Sequence, residues 1–203
     1  MSRIEPLAAD AVPELKETME TYRRHLGYVP NSPLVLARRP KVVKALAQMA
    51  SAVWDRETSE VPLGFKRLVA YMASRRHGCN YSMAHAADAA HRLGESAARI
   101  EAVADYRTSP LFTEAERVAL DFAIAAASQP NAVTDELMER MRRHWSEAQI
   151  VEIAAAVALN GFLNRWNDTM AVLLEPEPVA FCEKHLKGHG WTVGKHGRDE
   201  ATR

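Results

Sequence analysis

A cysteine, a serine and a histidine crowd into Gly78-Cys79-Asn80-Tyr81-Ser82-Met83-Ala84-His85, at offsets of zero, three and six. On a helix this spacing stacks them on roughly one face. The pattern reads like a Cys-x-x-Cys-x-x-x-His redox site whose second cysteine has become serine. A hydroxyl cannot replace a thiol in disulfide exchange, because it is not ionised near neutral pH and forms no S–S bond. A Cys79–Ser82 redox couple is therefore excluded. A lone thiol can still react. At the start of a helix, unpaired backbone N–H groups and the helix dipole favour thiolate over thiol. A thiolate can attack a peroxide, become a sulfenic acid, and be restored by an external thiol. The simpler alternative is a small, buried, inert cysteine.

His85 offers a second chemistry. Three residues past Ser82, it can bond the serine hydroxyl across one turn, and as a neutral imidazole it could act as a general acid or base. A serine–histidine nucleophile would also need an acid to orient the ring, and none is evidently placed. His77 and His91 bracket the stretch, while Tyr81 stands one position off its face, where packing is the simplest role. Cys182-x2-His185-x3-His189, with His196 beyond, has spacing a metal could use, but it straddles a helix end and a tail containing glycine. A solvated tail is the simpler reading, and no metal or other cofactor is expected. Trp191 interrupts that tail and is expected to dock back on the domain or on a neighbouring subunit.

Helices must position these groups, since three-four periodicity dominates and strand signals are nearly absent. The spacing predicts a polar helix over residues 11–25 and a short helix capped by Ser32 with Pro33 at its first position. A stronger helix opens at Pro40, its inward stripe being Val42, Val43, Leu46, Met49, Ala50, Val53 and Trp54. Another runs over 62–76 with Phe65, Leu68, Val69 and Met72 inward. It breaks at His77-Gly78, and Cys79 begins the next, which ends at Gly94. A short helix follows over 96–104. Thr113 and Ser146 open capping boxes with Glu116 and Gln149. Thr134 caps a helix to His144, the helix after Ser146 extends to about Leu173, and a last short helix spans about 178–187. This is an all-α chain of about eight to ten helices. Glu152 precedes Asn164 by twelve residues, and Asn164 to Asn167 repeats the Cys79-to-Ser82 spacing, a hint of an internal helical-hairpin repeat.

The bulk composition narrows the function classes. With 26 Lys+Arg against 26 Asp+Glu the formal charge is zero, so charge gives no support for nucleic-acid binding. No apolar stretch is long enough to span a bilayer. Two cysteines in 203 residues make no disulfide framework, and the expectation is a soluble protein of a reducing cytoplasm.

The segment Leu68-Val69-Ala70-Tyr71-Met72-Ala73-Ser74-Arg75-Arg76-His77 and the octet that follows it resemble the carboxymuconolactone decarboxylase family, which includes the alkylhydroperoxidase D proteins. Gly27 to Pro33, the helix ending Ala52-Val53-Trp54, and Leu159 to Asp168 are similar to the peroxidase-related subgroup. The resemblance covers roughly residues 25–175. It divides the chain into an N-terminal helix over 1–24, an alkylhydroperoxidase D-like domain over 25–175, and a C-terminal helix and tail over 176–203. It implies an all-α fold and a homo-oligomer, trimeric or hexameric. The redox branch uses Glu, Cys, Cys and His. Here Cys79 fills the first cysteine position, Ser82 the second and His85 the histidine, while Arg67 stands where the glutamate would be. The implied activity is peroxiredoxin-type reduction of a hydroperoxide, with Cys79 as nucleophile, His85 as proton relay and an external thiol as reductant. Protonated His85 and Arg67 would favour the thiolate further. The decarboxylase branch implies cofactor-free acid/base chemistry on a small carboxylate or lactone. His85 would then donate the proton, Arg67 or a neighbour such as Arg75 or Arg76 would anchor the carboxylate, and Tyr81 and His77 would line the substrate. The third alternative is a non-catalytic helical oligomer that binds a small molecule or partner.

Overall fold

A computed structural model describes residues 2–198. Among them are ten α-helices and no strand: α1 Lys16–Leu26, α2 Asn31–Leu36, α3 Pro40–Val53, α4 Leu63–His77, α5 Asn80–Arg92, α6 Ala97–Ala102, α7 Glu114–Ala126, α8 Asp135–Arg142, α9 Glu147–Met170 and α10 Pro176–His185. Short 3-10 turns precede α1, follow α6 and punctuate the tail.

α4 is the axis of the molecule. Phe65, Leu68, Val69 and Met72 are buried as their spacing predicts, and so are Ala70, Tyr71 and Ala73, because α5, α7 and α9 enclose the helix. Lys66 and Ser74 are buried with them, so most of the helix surface is enclosed. Gly78 ends it at φ +76°, a left-handed conformation that glycine adopts without a Cβ penalty. Its N–H bonds the Arg75 carbonyl, and Cys79, extended, becomes the N-cap of α5. α5 then lies along α4, where buried Ala84, Ala87 and Ala90 permit close approach. Both capping boxes form, Thr113 with Glu116 and Ser146 with Gln149.

Four local expectations are corrected. Ser32 does not cap α2; the helix starts at Asn31, and the Ser32 hydroxyl instead donates to Asn167 Oδ1 at 2.5 Å. On α3, Val43 and Val53 are buried, but Val42 and Met49 are 40% and 48% exposed. That helix lies at the periphery, against α2 and α9, and two of its seven stripe residues have no cover. α9 ends at Met170 and α10 starts at Pro176, because Ala171 at φ +46° terminates the helix and Pro176 suits a first turn. Finally, Asn164 and Asn167 stand on the single unbroken helix α9, so the spacing echo carries no second hairpin there.

The tail docks, as Trp191 predicts. Trp191 is 1% exposed, and its indole N–H donates to the Asn80 carbonyl at 3.1 Å, beside the start of α5. Gly194 then passes at φ +52°, where a Cβ would meet Asn80 Nδ2 at 3.3 Å. The solvated-tail expectation therefore fails for residues 191–196.

Candidate active site

The Gly78 break places the Cys79 thiol, fully buried, at the first turn of α5. It lies 3.4 Å from Ser82 Oγ, one turn on. Asn167, facing from α9, donates its amide to the same hydroxyl at 3.3 Å and accepts from Ser32 through its carbonyl oxygen. Ser32, Asn167 and Ser82 thus form one buried, oriented polar chain ending at the sulfur. Burial pushes the Cys79 thiol pKa up; hydrogen bonding with Ser82 opposes this, and Asp168 adds to the rise. The expected thiolate is corrected accordingly. The sulfur is shut off from water, and a carboxylate oxygen of Asp168 lies within 4.8 Å of it.

That carboxylate and a tail histidine complete the grouping. One ligand-capable atom each from Cys79, Asp168 and His196 lies within 4.8 Å of the others. His196 is 1% exposed; its Nδ1 lies 2.7 Å from the Val172 carbonyl, which can only accept, so Nδ1 carries the proton. Nε2 therefore presents a lone pair, 3.7 Å from Asp168 Oδ1. Both atoms are buried, and neither has a hydrogen-bond partner among the described residues. Burial lowers the His196 pKa and favours the neutral ring. Lys195 binds the other carboxylate oxygen of Asp168 at 2.7 Å.

His85 does not join this group. Its Nε2 lies 2.7 Å from Glu175 Oε2. Glu175 is 5% exposed and also accepts from the Tyr81 hydroxyl at 2.9 Å and the Asn31 backbone N–H at 2.5 Å. Burial alone would raise that carboxyl's pKa; His85 and the hydrogen bonds outweigh it, and the result lies below the ordinary value. An ionised carboxylate only accepts, so His85 presents Nε2–H to it. The expected His85–Ser82 bond is absent, since His85 Nε2 is engaged by Glu175 instead; nor does His85 share a face with Cys79. A histidine seven residues after the cysteine would face the same way, but His85 is six after, about 120° around the helix, and Ala86 holds the seventh position.

The substrate-side candidates separate as well. Arg67 stacks on the Trp54 ring at 3.6 Å, and burial lowers its pKa to about 10. It stands ten residues up α4 from His77, about 15 Å of rise, so it neither replaces the expected glutamate nor anchors a carboxylate at Cys79. His77 opens instead into a groove of about 600 Å³ between α7 and α9, with Arg165, Trp166 and Thr169. Tyr81 is buried, its ring 4.6 Å from that of His85 and 5.7 Å from that of His196. Cys182, His185 and His189 form no ligand group among the described residues; His185 binds Glu101 and Cys182 is buried.

The residues that spacing missed are Asn167, Asp168, Glu175 and His196. Asn167 belonged to the echoed segment, and His196 was read only as an outlying metal ligand. Glu175 carries no local signal, since it is the N-cap of α10 and reaches His85 across ninety residues of chain.

The carboxymuconolactone decarboxylase family model matches residues 40–125, a span that includes the whole α4–α5 unit. The uncharacterized protein YnjA of Escherichia coli is 31% identical over 152 residues, 74% of this chain and 82% of that protein. Among solved structures, the debrominase Bmp8 aligns with TM-score 0.82 at 30% identity, covering 89% of this chain and 96% of its own. An alanine variant of Bmp8 in complex with 2,3,4-tribromopyrrole matches equally well, at TM-score 0.82. An uncharacterized peroxidase-related protein from Ralstonia eutropha, described as an alkylhydroperoxidase AhpD core, aligns at TM-score 0.79 with 21% identity, a likeness of fold. The α4–break–α5 unit, the helical fold and these relatives agree: the chain belongs to the carboxymuconolactone decarboxylase family, with the alkylhydroperoxidase D-like fold.

Proposed function

We propose that the protein is a single-thiol oxidoreductase that reduces a small electrophile at Cys79, with a hydroperoxide as the substrate class. The observation that carries this reading is the convergence of a bare imidazole nitrogen and an oriented hydroxyl on one buried thiol. In this reading His196 Nε2 accepts the thiol proton, and the resulting imidazolium faces the Asp168 carboxylate. The Ser82 hydroxyl, held by Asn167, turns its proton toward the thiolate. The sulfur attacks the distal peroxide oxygen and the O–O bond breaks. The alkoxide takes the proton from His196 and leaves as an alcohol, while Cys79 is left as sulfenic acid. Serine at position 82 supplies no resolving thiol, and Cys182 is buried elsewhere. Two equivalents of external thiol would restore Cys79, releasing water and a disulfide. His85 is here a positioning residue, tying α5 to Glu175 and the start of α2.

The test is sulfenic acid trapping. Reduced protein exposed to stoichiometric cumene hydroperoxide and a cyclic dione should gain one adduct at Cys79 by intact mass. Cys79→Ser should abolish it, and His196→Gln should slow it. A folded, reduced protein that forms no adduct sinks the reading. The likeness to the debrominase Bmp8 favours a second substrate class, brominated heteroaromatics. Thiolate attack on bromine would give a sulfenyl bromide and, after protonation, the reduced ring. Loss of bromide from tribromopyrrole with a thiol reductant would select that class. Assembly as a trimer or hexamer is part of the same proposal. Exposed Val151 and Phe162 on α9 support it, and light scattering that finds a monomer would remove it.

A further inference from the structure

We propose that Cys79, Asp168 and His196 form a binding site for a divalent transition-metal ion of the zinc class. The inference shares its sulfur with the proposed function but does not depend on that chemistry.

Three parts of the chain bring these residues together: the first turn of α5, the last turn of α9 and the docked tail. Their sulfur, oxygen and nitrogen atoms lie within 4.8 Å of one another. His196 Nε2 and Asp168 Oδ1 face each other at 3.7 Å, both buried and both without a hydrogen-bond partner among the described residues. Two acceptor atoms so placed repel unless a positive centre joins them. Around a tetrahedral zinc ion, bonds of about 2.0–2.3 Å set neighbouring ligand atoms about 3.3–3.6 Å apart. The nitrogen–oxygen pair stands close to that separation, and a side-chain rotation moving the sulfur by about 1 Å closes the set.

The surroundings suit an ion too. The His196 Nδ1–H to the Val172 carbonyl is the outer bond that fixes a metal-binding histidine with its free nitrogen aimed inward. With Nδ1–H engaged there, Nε2 is left with its lone pair, as a ligating imidazole requires. The donor set of one thiolate, one imidazole and one carboxylate matches borderline-soft ions better than calcium or magnesium. Lys195 occupies the other carboxylate oxygen and leaves Oδ1 free; at 41% exposure its charge is partly screened. Asp168, 36% exposed, marks the way in. Binding would exchange the Cys79 thiol proton for the metal, releasing one proton per ion, and would leave a fourth position open. A metal-bound Cys79 is a weaker nucleophile than the free thiolate, so occupancy would slow thiol chemistry at this site.

The experiment is a Co²⁺ and Zn²⁺ titration of the reduced, chelator-treated full chain. Cobalt should give a near-ultraviolet thiolate charge-transfer band with one equivalent bound. Zinc should abolish the band and slow alkylation of Cys79. Cys79→Ser should remove the band. Asp168→Asn and His196→Gln should weaken binding by more than about tenfold, the scale on which even outer contacts register. Cys182→Ser, with its helical signal retained, should bind as the parent does. A band that survives Cys79→Ser or disappears with Cys182→Ser overturns the site, as does affinity weaker than about 10 µM in the folded parent chain. Peroxide trapping in chelator tests the proposed function separately. A reactive Cys79 that binds no metal would sink only this inference.

Discussion

Reactivity at Cys79 is a contest between burial, which disfavours the thiolate, and Ser82, whose hydrogen bonding favours it. Burial is the larger effect. Alkylation of Cys79 should therefore follow pH with a midpoint above the ordinary cysteine value of about 8.5. Ser82→Ala should move that midpoint up, and Asp168→Asn should move it down by removing a negative charge near the sulfur. A rate-against-pH series with iodoacetamide reads all three, and a parent midpoint below the ordinary value would contradict the account. Position 82 also tests the backbone directly. Because Ser82 already sits against the sulfur, Ser82→Cys alone should form a disulfide with Cys79 under mild oxidant, seen as the loss of two hydrogens by mass. No partner change at Arg67 is needed, since Arg67 stacks on Trp54 instead. The thiol and its hydroxyl were legible in the sequence because one helical turn links them. Offset six turns His85 toward Glu175, and a second ring, His196, reaches the sulfur from 117 residues further on.

The elements were legible wherever the signal was local. Gly78 and the two capping boxes involve neighbours within a few residues, and they fixed helix ends well. The α3 stripe and the Ser32 cap misled because burial and hydrogen bonding there are decided by α9, far along the chain. The docked tail combines both cases: Trp191 announced docking, but not that docking would carry His196 to Cys79. Trp191→Ala should cost about 3–5 kcal/mol if the tail is cooperative with the domain, as for other buried tryptophans. A local loss would cost less in the urea transition and more at the site. Either way Cys79 should be alkylated faster, because the segment covering it is released. An unchanged rate in a folded Trp191→Ala protein would mean that another element excludes water from the sulfur.

Across the whole molecule, a set of carboxylates ties distant elements together. Glu175 joins α10 to α2 and α5, Glu152 joins α9 to Lys66 and the segment before α4, and Asp121 joins α7 to Tyr106, Arg107 and Arg140. In each, burial works to raise the carboxyl pKa and the partners more than offset it, leaving the folded value low. The unfolded chain then binds more protons in the window between the two values, so stability is whole above the ordinary carboxylate range and declines as pH falls through it. The charge balance adds to this, since 26 acidic groups offset 26 basic ones only while ionised. The urea midpoint should be nearly flat from about pH 7 to 5 and fall steeply below about pH 4. Glu175→Gln should cost about 2–3 kcal/mol at pH 7, because it strips an ionised acceptor from His85 and Tyr81. Its deficit against the parent should shrink as pH falls below the ordinary carboxylate range, as the parent's Glu175 itself becomes protonated. A deficit that stays constant across that range would mean that Glu175 contributes by packing rather than by charge, and that His85 is held by its stacking on Tyr81 instead.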